Sequence, residues 1–110
     1  MTPEQFARDY LIHVFHHVSA AVALDADGCI LSAKLFDTEF GGAFLHIAPG
    51  AAEIWLLSNH EDGWQGLYAA DYDNIERIRL AAPGARLRVF VTNEDWGCIP
   101  VDAARRDAHT

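Results

Sequence analysis

The chain has 110 residues, 51% of them hydrophobic and 11% aromatic, which is enough to build the core of one domain and excludes a disordered segment. Sixteen acidic residues against eight basic ones leave a formal charge of −8, which opposes contact with a phosphate backbone. The imbalance is regional. From Met1 to Glu76 twelve acids meet only Arg8 and Lys34, a local balance of −10; from Arg77 onward six arginines face Glu94, Asp95, Asp102 and Asp107, for +2.

The first predicted element is a helix from Pro3 to about Val18. Thr2 suits the N-cap, Pro3 the first helical position, and Gln5 stands where a capping box needs it. Phe6, Tyr10, Leu11, Val14 and Val18 then fall on one broad side, with Asp9, His13, His16 and His17 on another. After Ser19 the period changes from helical to alternating. Ala20 to Leu24 and Cys29 to Phe36 flank Asp25-Ala26-Asp27-Gly28, which predicts a β-hairpin. Gly41-Gly42 precedes a third strand expected over Ala43 to Ala48. A fourth, Glu53 to Ser58, contains the contiguous Ile54-Trp55-Leu56-Leu57 and reads as a central strand covered on both faces. A fifth is expected over Trp64 to Ala70.

A second helix is placed from about Asp73, where Asp73 and Glu76 have capping-box spacing, to a stop at Pro83-Gly84. Leu87 to Thr92 reads as a sixth strand, followed by a short Cys98-Ile99-Pro100-Val101 segment and a tail from Ala103 that frays. The fold class expected is a single α+β domain over residues 1–110. It has an antiparallel sheet of about five to six strands, an N-terminal helix and a second helix before the last strand, with the helices on one side or at one end.

Chemistry-bearing motifs are sparse. Asp9, His13 and His17 recur at four-residue spacing, which on a continuous helix brings an acid and two imidazoles to one face, the geometry of a metal site. Paired short-spacing cysteines are absent, and a hydrated polar helix face accounts for the same residues. Asp25-Ala26-Asp27-Gly28 opens like a calcium loop but places Ile30 and Phe36 where that loop needs Gly and an acid, so it reads as a turn. No serine sits in a Gly-x-Ser-x-Gly elbow, and there is no glycine-rich phosphate loop. Cys29 and Cys98 are too few for a disulfide framework and read as buried free thiols of a reducing compartment. The opening lacks the pattern of a signal peptide, and no stretch approaches the roughly 20 apolar residues of a membrane span. A cytoplasmic location without membrane contact is the expectation.

The strongest pattern is the mixing of acids with large aromatics. It occurs at Asp37, Glu39 and Phe40; at Glu61, Asp62 and Trp64; at Tyr68, Asp71, Tyr72 and Asp73; and again at Glu94-Asp95-Trp96. Ring faces and carboxylates both attract guanidinium groups. The reading is therefore a non-enzymatic, cofactor-free protein-binding module. It would be of the inhibitor or immunity type, phage anti-defence-like, docking on a basic, nucleic-acid-binding surface of a partner protein. Two alternatives stand beside it. One is a small metal-binding protein or enzyme using Asp9, His13 and His17. The other is a structural homodimer that continues its sheet across an edge, with Arg88 and Phe90 on the pairing strand.

Overall fold

The computed structural model describes residues 1–14, 17–38 and 47–102. In chain order the elements are α1 (Pro3–Tyr10), β1 (Val18–Leu24), β2 (Ile30–Asp37), β3 (Glu53–Asn59), α2 (Ala69–Ala81), β4 (Arg86–Asn93) and β5 (Gly97–Val101). The chain is an α+β domain built on one five-stranded sheet of order β2-β1-β3-β4-β5.

The capping box opens α1 as expected: the Thr2 hydroxyl accepts from the Gln5 N–H at 3.1 Å, and the Gln5 side chain accepts from the Thr2 N–H at 2.8 Å. The helix ends eight residues early, however, at Tyr10. The Leu11 and Ile12 N–H groups both turn back to the Ala7 carbonyl, and Val14 bonds to Leu11. Ile12, Val14 and Val18 are β-branched and favour extended backbone. Val18 joins β1 opposite Asp37, which pulls the segment out of the helix.

The hairpin forms as predicted. Asp25 organises its turn by accepting from the Asp27 and Cys29 N–H groups, both at 2.9 Å, and Gly28 takes the positive φ of +84° that closes it. β1 is antiparallel to β2 and to β3, and β4 to β5, but β3 and β4 run parallel, with Glu53 opposite Arg86 and Asn59 opposite Thr92. The wholly antiparallel expectation is corrected at this one pair. α2 is the crossover that parallel neighbours require, and it therefore precedes the last two strands. No strand spans Trp64 to Ala70: Trp64 to Tyr68 is loop, and Ala69 and Ala70 already belong to α2. Leu67 from this loop is fully buried against α2, so the apolar residues there serve as a plug.

The helices lie on opposite faces of the sheet instead of sharing one. Phe6, Ala7 and Leu11 of the α1 segment pack on Ala20, Val22, Leu24, Trp55, Leu57 and Phe90. Ile75 and Ile78 of α2 pack with Tyr72 and Leu67 on Ile54, Leu56, Val89 and Val91. The contiguous apolar run of β3 is thereby explained: alternate side chains feed two cores, as a central strand demands. β4 is also interior, so Arg88 and Phe90 are not at a sheet edge. The edges are β2, whose register slips at Ala23/Leu24, and β5, which carries Pro100. The third strand expected at Ala43 falls outside the described residues up to His46, and Ile47 and Ala48 are not in a strand; the tail from Ala103 also lies outside them.

Both cysteines are free, but neither is buried: Cys29 is exposed at the hairpin turn and Cys98 is half-buried in β5. Burial, and then the negative field of Glu4, pushes the Cys98 thiol up to about 12, with Arg88 opposing. Iodoacetamide at pH 8 is expected to alkylate Cys29 first and Cys98 only on unfolding, read by intact-mass spectrometry; equal labelling rates would contradict this packing of β5.

Candidate functional site

β3 and β4 finish at the same end of the sheet where β2 finishes and β1 begins. Each of these apolar strands changes character there. Ser19, Thr38, Ser58, Asn59, His60, Thr92 and Asn93 are all buried at this end, joined from α2 by Asp71 and Asn74. Polar groups out of water must be paired, and these form a connected layer.

Asp71 is its centre. One carboxylate oxygen accepts the Ser58 hydroxyl at 2.6 Å; the other accepts the Tyr68 N–H and the His60 Nε2–H, both at 3.0 Å. The Tyr68 bond is the cap of α2, made by Asp71 and not by the expected Asp73–Glu76 pair, and it starts the helix four residues sooner than predicted. Because Ser58 donates to Asp71, its lone pairs are open to Ser19 at 3.2 Å, and Ser19 in turn to Thr38 at 2.8 Å. The donor direction therefore runs Thr38, Ser19, Ser58, Asp71.

His60 donates its other ring nitrogen, Nδ1, to the Trp64 carbonyl at 2.7 Å. Both ring nitrogens thus face acceptors, which suits the doubly protonated ring. Burial works against that charge. The Asp71 hydrogen bond and charge, with the Trp64 carbonyl, outweigh it and raise His60 above its usual 6.5. Two amides complete the layer. Asn59 donates to the Val14 carbonyl at 2.8 Å and accepts from Thr92, while Asn93 donates to the His60 carbonyl at 2.6 Å and accepts from the Asp95 N–H.

Above His60 the surface is aromatic and acidic. Tyr68 packs edge-on against His60 and His17, with ring centroids 4.8 and 5.6 Å away, and its hydroxyl donates to Asp62. Slight burial would lift the Asp62 carboxyl. The Tyr68 hydroxyl and the Trp64 N–H hold it below its usual value, helped by His17 and His60. Burial and the Asp62 carboxylate in turn raise the Tyr68 phenol well above its usual range. Beside this group opens a cleft of about 290 Å³ whose lining includes Ile12, Val14, Asn59 and Asn93 beneath Glu61, Glu94 and Asp95, and no basic residue among those described.

The residues expected to bind a partner divide accordingly. Asp37, Glu61, Asp62 and Asp73 are exposed, and Trp64 and Tyr68 are half-buried. Asp71 and Tyr72 are buried, at 0% and 7% exposure, and are corrected from contact residues to internal ones. Glu39 and Phe40 lie outside the described residues. The structure adds Glu94 and Asp95, which the fourth acid–aromatic cluster already flagged, and the buried His60. Its signal was the polar run Ser58-Asn59-His60 closing an apolar strand, matched by Thr92-Asn93 on the next.

The metal face anticipated from the first helix does not form as such. Asp9 is on α1 beside Arg8 at 3.8 Å, His13 stands exposed in the turn that follows, and His17 packs on Tyr68. Among the described residues no three His, Cys, Asp or Glu side chains are grouped to hold a metal. The Ser58–Asp71–His60 set is not arranged as a nucleophile either, since Ser58 donates to the carboxylate, both His60 nitrogens are engaged, and all three are buried. No helix of the described residues is long and apolar enough to cross a membrane. No protein-family model matches the chain, and no curated protein matches it significantly.

Proposed function

We propose that the protein is a non-enzymatic binding module that docks the end of its sheet onto a basic surface of a partner protein, in the manner of an inhibitor or immunity-type protein. A partner surface evolved to hold nucleic acid has the complementary charge. The observation that carries this reading is the cleft edged by Glu61, Glu94 and Asp95, with Asp62 and Tyr68 alongside and the His60–Asp71 layer holding its floor. Its apolar and amide floor accommodates the stem of an arginine or lysine, and its rim takes the charged head. Fixed carboxylates in a concave site also focus the field that steers a cationic partner.

The test is affinity capture with cross-linking from the native host, followed by titration of the recovered partner. The combined Glu61→Gln, Glu94→Gln and Asp95→Asn variant is expected to bind at least about tenfold more weakly, and binding should fall as salt rises from about 50 to 300 mM. A complex indifferent to both changes would overturn the reading.

A further inference from the structure

One loop of the molecule is held from below by a buried histidine. The loop runs from His60, just after β3, to Tyr68, the N-cap of α2. Short bonds fold it on itself. The Gly63 N–H donates to the His60 carbonyl at 3.0 Å, the Trp64 N–H to Asp62 at 3.1 Å, and the Tyr68 hydroxyl also to Asp62. Gly63 takes a positive φ of +83° to make the turn. The His60 ring, at 0% exposure, ties this loop down at two places. Nδ1 donates to the Trp64 carbonyl in its middle. Nε2 donates to the Asp71 carboxylate, which receives the Tyr68 N–H at its end.

Two acceptors demand two ring protons, and a neutral imidazole has one. The bond to the carboxylate is charge-assisted and therefore the stronger, so the neutral ring keeps its proton on Nε2. The bare Nδ1 lone pair then faces the Trp64 carbonyl oxygen at 2.7 Å, with no proton between them. Two acceptors at that distance repel, and the buried ring cannot turn to water for relief. The loop is the side that can yield, because Trp64 is half-buried and Gln65 is exposed. The surroundings favour the proton. Asp71 faces the ring from α2 and Asp62 from the loop, Tyr68 meets it edge-on with its phenol proton on Asp62, and Thr92 and Asn93 of β4 bond its backbone as neutral partners. His17, ahead of β1, is a second imidazole with its ring centroid 6.1 Å away. Burial opposes the charge on His60, but the Asp71 hydrogen bond and charge outweigh it and keep the proton on the folded ring above the usual 6.5.

We propose that His60 is a proton-operated latch: protonated, it clasps the Trp64 carbonyl and fixes the loop; neutral, it lets the loop open locally while the sheet beneath stays folded. Glu61 on this loop lines the acidic cleft, and Asp62 and Tyr68 flank it, so the latch sets whether that rim is presented in one arrangement or several. The switch is a property of the fold and stands whether or not the cleft receives a partner.

Nuclear magnetic resonance on the full chain tests this. Long-range ¹H–¹⁵N spectra follow the His60 and His17 rings from about pH 6 to 9.5, and amide exchange, corrected for its intrinsic pH dependence, follows the loop. Exchange at Gly63 and Trp64 is expected to speed up at least about threefold, with the midpoint of the His60 ring. It should be unchanged by about 1 M urea, the mark of a local opening. His17→Gln should retain this step. His60→Gln should lack it, with fast exchange at every pH. Three results would overturn the inference: a His60 ring that keeps one protonation state throughout, loop exchange that ignores its titration or follows His17, or loop exchange as urea-sensitive as that of Leu56 in β3.

Discussion

Replacing Asp71 with Asn is expected to destabilise the protein by about 3 to 5 kcal/mol, the largest effect of any single polar substitution in the described structure. Three donors converge on that carboxylate: the Ser58 hydroxyl, the Tyr68 N–H and the His60 ring. An amide keeps one acceptor and turns an N–H₂ group toward donors. The His60 charge is left without its counterion at 0% side-chain exposure, and α2 loses its cap, worth about 1 kcal/mol by itself. Against a total stability of about 5 to 15 kcal/mol for a domain, this moves the urea midpoint a long way or unfolds the chain. A loss below about 1 kcal/mol would show that the layer does not hold the end of the sheet together.

The same pair sets a pH dependence. His60 is raised in the folded state above its unfolded 6.5. Its contribution is therefore fully present below pH 6.5 and is lost as pH rises through the folded value. Urea midpoints measured upward from pH 6 should fall in the parent, and that fall should be absent in His60→Gln, whose baseline is lower throughout. A parallel decline in both proteins would assign the effect to another group.

Phe90→Ala is the second large effect, at about 3 to 5 kcal/mol. Phe90 is 1% exposed, stands opposite Leu57 in the parallel pair, and closes the α1-side core with Trp55, Leu57 and Leu11. Truncation opens a cavity that the flanking strands cannot collapse, because both are held in register by their ladders. It also removes the ring under Arg88. Phe90→Leu, which keeps most of the volume, is expected to cost less than half as much. Similar costs for the two would indicate that the ring, and not the space it fills, is what matters.

The hairpin, the central strand and the start of α1 were legible because their signals are local: an Asp-Gly turn, a contiguous apolar run, and a cap of residues three apart. The parallel β3–β4 pair was not legible, because pairing direction depends on how the chain returns. The Trp64-to-Tyr68 stretch has the composition of a strand while serving as a loop. The early end of α1 reflects competition. Helical periodicity continues through Val18, but β1 claims that residue, and the ladder outbids the spacing. Of the candidate site, the exposed acids Glu61 and Asp62 were readable as loop residues beside aromatics. Asp71 was not separable from Asp73, since two acids in one helical turn look alike until one is found inside, held by His60 eleven positions earlier.

The two borders of the sheet have a further consequence. β2 has a slip in its register near the hairpin and carries Lys34, while Pro100 on β5 has no N–H to offer. At those points each border is an irregular template for an incoming strand, although β2 also exposes Ile30, Leu31 and Leu35. An irregular, charged border protects a sheet from uncontrolled stacking of copies while leaving its apolar side chains in view.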